Sequence, residues 1–266
     1  MRPSISHWVI AVTMAASGWA QVSEYPSPLI REQQTVVING RPEVWRLQWT
    51  HRPKPYCDPN DDSWMTCPCL GVAFGESGDL ILTRSVEGVE VDRLPLAPLF
   101  KDHEIPVPAL QRWEPDWDKD LKNGLSSADG LAARAARRPT VKIMEFADYD
   151  HDGQKSEFYL EIDTQPCFHT YGIVLGVSNK NPRLHAFGTA SHPDKAVEMD
   201  SVAWEALRKA TGPVEVTVVH CGDHGAETET ALKLHWNADG IDGATREYSC
   251  PENGGARRLL NEAPLP

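Results

Sequence analysis

The 266-residue sequence lacks an unbroken apolar run of the roughly 20 residues that a membrane-spanning helix needs. Its nearest approach, Trp8 to Trp19, is interrupted by Thr13, Ser17 and Gly18. A membrane anchor is therefore not expected. Basic residues are also scarce. Lys and Arg number 26 against 38 Asp and Glu, for a formal charge of −12 and a pI near 5.3, so duplex nucleic acid and anionic surfaces are repelled and cations are favoured. The sequence contains no Gly-x-Ser-x-Gly elbow, no Gly-x-x-x-x-Gly-Lys loop and no Gly-x-Gly-x-x-Gly fingerprint. No internal repeat of about 20 to 50 residues is visible, which excludes a complete propeller or solenoid.

What is present is an ordinary globular composition, 41% hydrophobic and 24% charged, which excludes disorder along the whole chain. The 21 Pro and 19 Gly fit a strand-rich protein better than a helical bundle. Residues 1–20 read as a secretory signal: Arg2, then the apolar run, then Gly18-Trp19-Ala20 before Gln21. The expected location is secreted or periplasmic. In that oxidising setting Cys57, Cys67, Cys69, Cys167, Cys221 and Cys250 favour three disulfides, with Cys57 pairing either Cys67 or Cys69. The other pairings are open. Zinc at the first three cysteines lacks the Cys-x-x-Cys spacing of closed sites.

Periodicity predicts a mainly β (α+β) protein of antiparallel sheets. Residues 21–95 form an N-terminal β region with a local disulfide, 96–139 a linker, 140–250 a C-terminal β domain and 251–266 a flexible tail. Thr35 to Ile38 and Val44 to Thr50 flank Asn39-Gly40 as a hairpin, with Trp45, Leu47 and Trp49 on one face. Leu70 to Phe74 and Leu80 to Thr83 are expected to form another. The linker interleaves Trp113, Asp116, Trp117, Asp118 and Asp120, a pattern of sugar-binding surfaces and more often of a loop packed on its own domain. A short helical segment is expected near 127–138. Further strands are predicted at 141–146, 158–163, 170–178, 183–189, 214–220, 230–236 and 245–250. One helix near 201–211 is capped by Asp200 or Ser201, carries Glu205 four residues before Lys209, and ends at Gly212-Pro213.

The segment Asp148-Tyr149-Asp150-His151-Asp152-Gly153-Gln154-Lys155-Ser156-Glu157 carries the clearest chemistry. Alternate carboxylates in a tight loop converge on one hard cation, Gly153 supplies the positive φ of the turn, and Gln154 offers its backbone carbonyl. Ser156 or Glu157 would complete an oxygen shell, which argues for Ca2+ over zinc. His151 is expected to point outward. Position twelve is Tyr159 where an EF-hand has Glu, and the outgoing Phe158, Leu160 and Ile162 alternate as a strand. The loop resembles the strand-loop-strand Asp-x-Asp-x-Asp-Gly motif of FG-GAP repeats in integrin-type propellers, over about 20 residues and once only; Ser156 stands where those repeats usually carry Asp.

Residues 147–250 also resemble an uncharacterised family of exported bacterial proteins. The resemblance is carried by Asp148 to Leu160, Pro166-Cys167, Gly176 to Asn179, Asn181 to Thr189, Trp204 to Leu207 and Cys221 to Glu227. It implies shared ancestry and no particular chemistry.

A second constellation, His220, Asp223, His224 and Glu227 around Cys221, places four potential ligands in eight residues. Its spacing matches no zincin pattern, and a Gly-rich turn with Asp223 and His224 bonding nearby amides is the simpler reading. Two functions follow. The first is an exported, calcium-stabilised binding or surface-interaction module for an unknown protein or carbohydrate ligand. The alternative is a metal-dependent hydrolase using the His220 to Glu227 cluster.

Overall fold

The computed structural model describes residues 29–56, 75–103, 106–114, 138–165, 169–237, 239–251 and 255–265. The expected signal segment, Cys57, Cys67, Cys69, Cys167, the Asp116 to Asp120 stretch and nearly all of the 127–138 helical segment lie outside them.

The described chain is mainly β. Asn39 and Gly40 both take positive φ, +50° and +77°, as a two-residue turn twisted to match its strands requires. They join β1 (Ile30–Ile38) to β2 (Arg41–Trp49), and Trp45, Leu47 and Trp49 are buried as their alternation predicts. Next come β3 (Lys54–Tyr56), β4 (Gly75–Ser77), β5 (Leu80–Val86), β6 (Val89–Pro95) and β7 (Ala109–Gln111). The first sheet has the order β1-β2-β5-β6, and β3-β4-β7 form a separate small sheet. Leu70 to Phe74, the first strand of the hairpin expected across Gly75 to Asp79, lie outside the described residues. Gly75 to Ser77 pair with β3 and β7, while β5 turns its Leu80 and Leu82 into the core and pairs with β2 and β6.

The strand expected over 141–146 is also replaced, by an extended segment that covers the open edge of β1 through side chains. Glu32 accepts the N–H groups of Ile143 (2.7 Å) and Met144 (3.2 Å), and Arg31 donates to the carbonyls of Gln111 and Val141, both at 2.9 Å. An edge strand is thereby closed to further pairing without a backbone ladder.

The second sheet is built on β8 (Glu157–Gln165) and β9 (His169–Gly176), followed by the short β10 (His185–Ala186), β11 (Gly188–Thr189), β12 (His192–Ala196) and β13 (Met199–Asp200). β8 lies along one side of β9, and β10 and β13 pair with β9 as well. Successive residues of a strand face opposite ways, and here each face contributes to an apolar core. Phe158, Leu160, Ile162, Ile173 and Leu175 join Trp45, Leu47 and Leu82 in one core. Val174 joins Trp204, Leu207, Leu234 and Ile241 in a second. The β8–β9 sheet thus separates two cores and contributes to each.

The helix α1 (Ser201–Lys209) is capped by Asp200, whose carboxylate accepts the Val202 N–H at 2.8 Å, and it buries Ala203, Trp204 and Leu207. Its exposed face carries Glu205 against Arg208 and Lys209. Beyond it, β14 (Val214–Val219), β15 (Thr228–Asn237), β16 (Gly240–Ser249) and β17 (Leu259–Pro264) join β11 and β12 in the third sheet. β17 falls where a flexible tail is expected. It pairs antiparallel with β16, with Leu259 and Leu260 left exposed, which is why its strand character does not show as alternation. Cys221 and Cys250 form a disulfide across the ends of β14 and β16. No helix among the described residues is long and apolar enough to cross a membrane.

Candidate metal centre

An antiparallel bridge between Ala147 and Glu157, with N–H to carbonyl distances of 2.8 and 3.3 Å, pinches off residues 148–156 as a loop. Within it, short polar side chains do the folding. Asp150 accepts the Asp152 N–H (3.1 Å), Asp152 accepts the Gln154 N–H (2.8 Å), and Asp148 accepts the Gly153 N–H (3.1 Å). Gly153 has φ +90° with open space where a Cβ would stand, so backbone conformation alone selects glycine there. His151 also takes positive φ, and its Nε2 donates to the Leu207 carbonyl at 3.2 Å. It therefore docks the loop on α1 where it was expected only to point outward.

Of the four expected carboxylate ligands, the structure brings three together. One carboxylate oxygen from each of Asp148, Asp150 and Glu157 lies within 4.8 Å of the others, and among the described residues this is the only such group of three. Oxygens bound to one Ca2+ at 2.3–2.6 Å are at most about 5 Å apart, so the spread fits a common ion. Asp152 is turned elsewhere: its second oxygen accepts the Asn179 N–H at 2.9 Å. The Gln154 amide spans two other segments, donating to Asn179 Oδ1 (2.9 Å) and accepting the Asn39 N–H (2.8 Å) at the tip of the first hairpin. Ser156 is buried and donates to the Val177 carbonyl at 3.0 Å, with its hydroxyl also against Glu157 Oε1.

The electrostatics of the three carboxylates follow from burial and crowding. Glu157, fully buried, is pushed up to about 8, chiefly by loss of water, with Asp150 adding like charge. Asp150 is raised to about 6 by burial and then by Asp152. Asp148 has one buried oxygen, Oδ1, without a hydrogen-bond partner. Ser156 owns one proton but faces two acceptors, Val177 and Glu157. A protonated Glu157 resolves that shortage, in agreement with its raised pKa. In physical terms this is a carboxylate cluster short of positive charge, which either protons or a cation can supply.

The second expected constellation is a turn. Gly222 and His224 have φ of +86° and +49°, and Asp223 accepts the His220 N–H at 2.8 Å. His220, Asp223, His224 and Glu227 do not form a ligand group. Sequence reasoning missed Asn179, which clamps Asp152 from 27 residues away. The only local hint was a run of turn-forming residues, Ser178 to Asn181, after a strand. Comparison of the chain with protein-family models, curated proteins and solved structures finds no match.

Proposed function

We propose that the chain is an exported binding or surface-interaction module whose Asp148 to Glu157 loop is stabilised by calcium. The observation that carries this reading is the convergence of Asp148, Asp150 and Glu157. No basic side chain forms an ion pair with any of them among the described residues. Calcium, a hard cation served by oxygen ligands, would take the place of the proton that Glu157 otherwise retains. Backbone carbonyls and water would fill the rest of its shell. The Cys221–Cys250 disulfide and the apolar N-terminal run support an oxidising, exported setting. Nothing in the geometry favours the hydrolase reading, since Asp223 is already committed to the His220 amide.

The test is elemental analysis of the purified protein followed by calcium titration calorimetry after chelation. Stoichiometric, saturable calcium binding that is lost in Asp148→Asn supports the reading. Absence of calcium binding, or tight stoichiometric zinc or iron in its place, overturns it.

A further inference from the structure

A cleft of about 600 Å3 beside the loop is lined by Asp150 and Asp152 and by Trp236. Ligand sites of small molecules fall in this size range and combine apolar surface with a few placed polar groups. The apolar part here is a supported aromatic row. His185 lies on Phe187 with ring centroids 4.5 Å apart, and Phe187 meets Trp236 edge to face at 5.4 Å. Phe187 is buried, whereas His185 and Trp236 are partly open to solvent. The row is set in place from behind: Asp92 in the first sheet accepts the Leu184 N–H at 2.6 Å, and Arg84 donates to the Pro182 carbonyl.

The polar groups on this cleft are of both kinds. His185 Nδ1 donates to the Arg183 carbonyl at 2.8 Å, and burial lowers the pKa of the ring, so Nε2 is an acceptor. The indole N–H of Trp236 is a donor, and the exposed carboxylate of Asp194 is an acceptor. Acidic residues predominate, because Lys180, the one Lys or Arg on the cleft wall, is paired with Asp239 at 2.6 Å. Anionic ligands are thereby disfavoured.

An aromatic floor with donors and acceptors at its rim matches the chemistry of a sugar ring, which has an apolar C–H face and a girdle of hydroxyls that both give and take hydrogen bonds. We propose that this cleft binds an uncharged saccharide, with Trp236 as the stacking surface and His185 and Asp194 as hydroxyl-binding groups. The assignment rests on the binding-module reading and names the partner class for it. Asp150, His151 and Asp152 of the loop line the same cleft.

The experiment titrates the purified protein with maltotetraose, cellotetraose, tetra-N-acetylchitotetraose and, as an anionic control, oligogalacturonate. Binding is followed by tryptophan fluorescence and calorimetry, in calcium and in chelator. At least one neutral tetrasaccharide is expected to bind at micromolar to millimolar concentration. Trp236→Ala should weaken it about tenfold or more, as loss of a central aromatic anchor does. Asp194→Asn, at an exposed position, should weaken it with no change in melting temperature, which separates recognition from folding. Lack of binding by every neutral sugar, binding indifferent to both variants, or preference for oligogalacturonate overturns the proposal. Calcium stabilisation without sugar binding removes the saccharide assignment alone. Sugar binding without any calcium response removes the calcium reading alone.

Discussion

The Glu157 carboxylate accepts the backbone N–H of Tyr149 at 2.7 Å, so the last acidic residue of the loop folds back between the first two, Asp148 and Asp150. That contact fixes where its charge must sit and ties loop stability to its protonation.

The sign of the pH effect follows. Glu157 is raised from an ordinary 4.5 to about 8, and Asp150 from 3.8 to about 6. Between those limits the folded state holds protons that the unfolded state has released, so the contribution of these two groups to the stability of the metal-free protein is greatest below the unfolded values and is lost as pH rises through the window. Calcium replaces the protons, so its affinity should rise over the same range. Melting temperatures measured across this range in chelator should decline toward alkaline pH, and saturating calcium should flatten the curve. Parallel curves in the two conditions would contradict the linkage.

Glu157→Gln separates charge from shape. The amide keeps the size of the side chain and removes the ionisation, so the metal-free variant should lose most of the decline contributed by Glu157 and also most of the calcium response. Wild-type protein at ten times Kd should gain about 1.4 kcal/mol from the ion. Retention of that gain in the variant, read by calorimetry, would place the ion elsewhere.

Asp152 should behave differently from its neighbours. Its oxygens hold the amides of Gln154 and Asn179. Asp152→Ala therefore exposes two backbone donors and should cost about 1–3 kcal/mol in chelator as well as in calcium. Asp148→Asn should lose the calcium response with a smaller effect on the metal-free protein. Denaturant titrations of both variants, with and without calcium, distinguish the roles.

Gly172 is a packing requirement. A Cβ there would lie 2.4 Å from the Leu160 carbonyl oxygen and from the Tyr159 ring. Trp204 Nε1 also donates to the Gly172 carbonyl at 2.9 Å. Gly172→Ala should destabilise by about 1–3 kcal/mol, seen as a lower denaturation midpoint, even though alanine suits a strand better than glycine does.

Removing the Cys221–Cys250 bridge frees a segment with a sequence separation of 29. Loop-closure entropy puts the loss at about 3.5 kcal/mol. A Cys221→Ala, Cys250→Ala double variant should unfold at correspondingly lower denaturant. Its calcium affinity should be unchanged, because the bridge joins β14 and β16 and no residue of the carboxylate cluster.

What could be read from the sequence was whatever neighbouring residues decide among themselves. Asn39-Gly40 announces its turn, Asp200 its cap, and Phe158, Leu160 and Ile162 their buried face. The converging Asp148 and Asp150 were visible for the same reason. The contact of Asp152 with Asn179 was not legible, because Asn179 comes from another strand end and no spacing rule foretells a contact of that separation. The segment 141–146 was β-branched and alternating like a strand, yet its partner on β1 offers side chains where a ladder would offer backbone. β17 carries no apolar alternation and owes its existence to pairing with β16. The aromatic row of the cleft joins His185 of the second sheet and Phe187 to Trp236 of the third, a neighbourhood that only the assembled fold creates.

The alternation of β9 has a consequence for how the molecule comes apart. Ile173 and Leu175 point to one core and Val174 to the other. Loss of either outer layer would expose apolar residues of β9 to water, Ile173 and Leu175 on one side or Val174 on the other. Partly unfolded forms with one core intact are thus penalised, and melting should be all-or-none across the described fold. Trp45 and Trp204, buried on opposite sides of that sheet, would report the same transition.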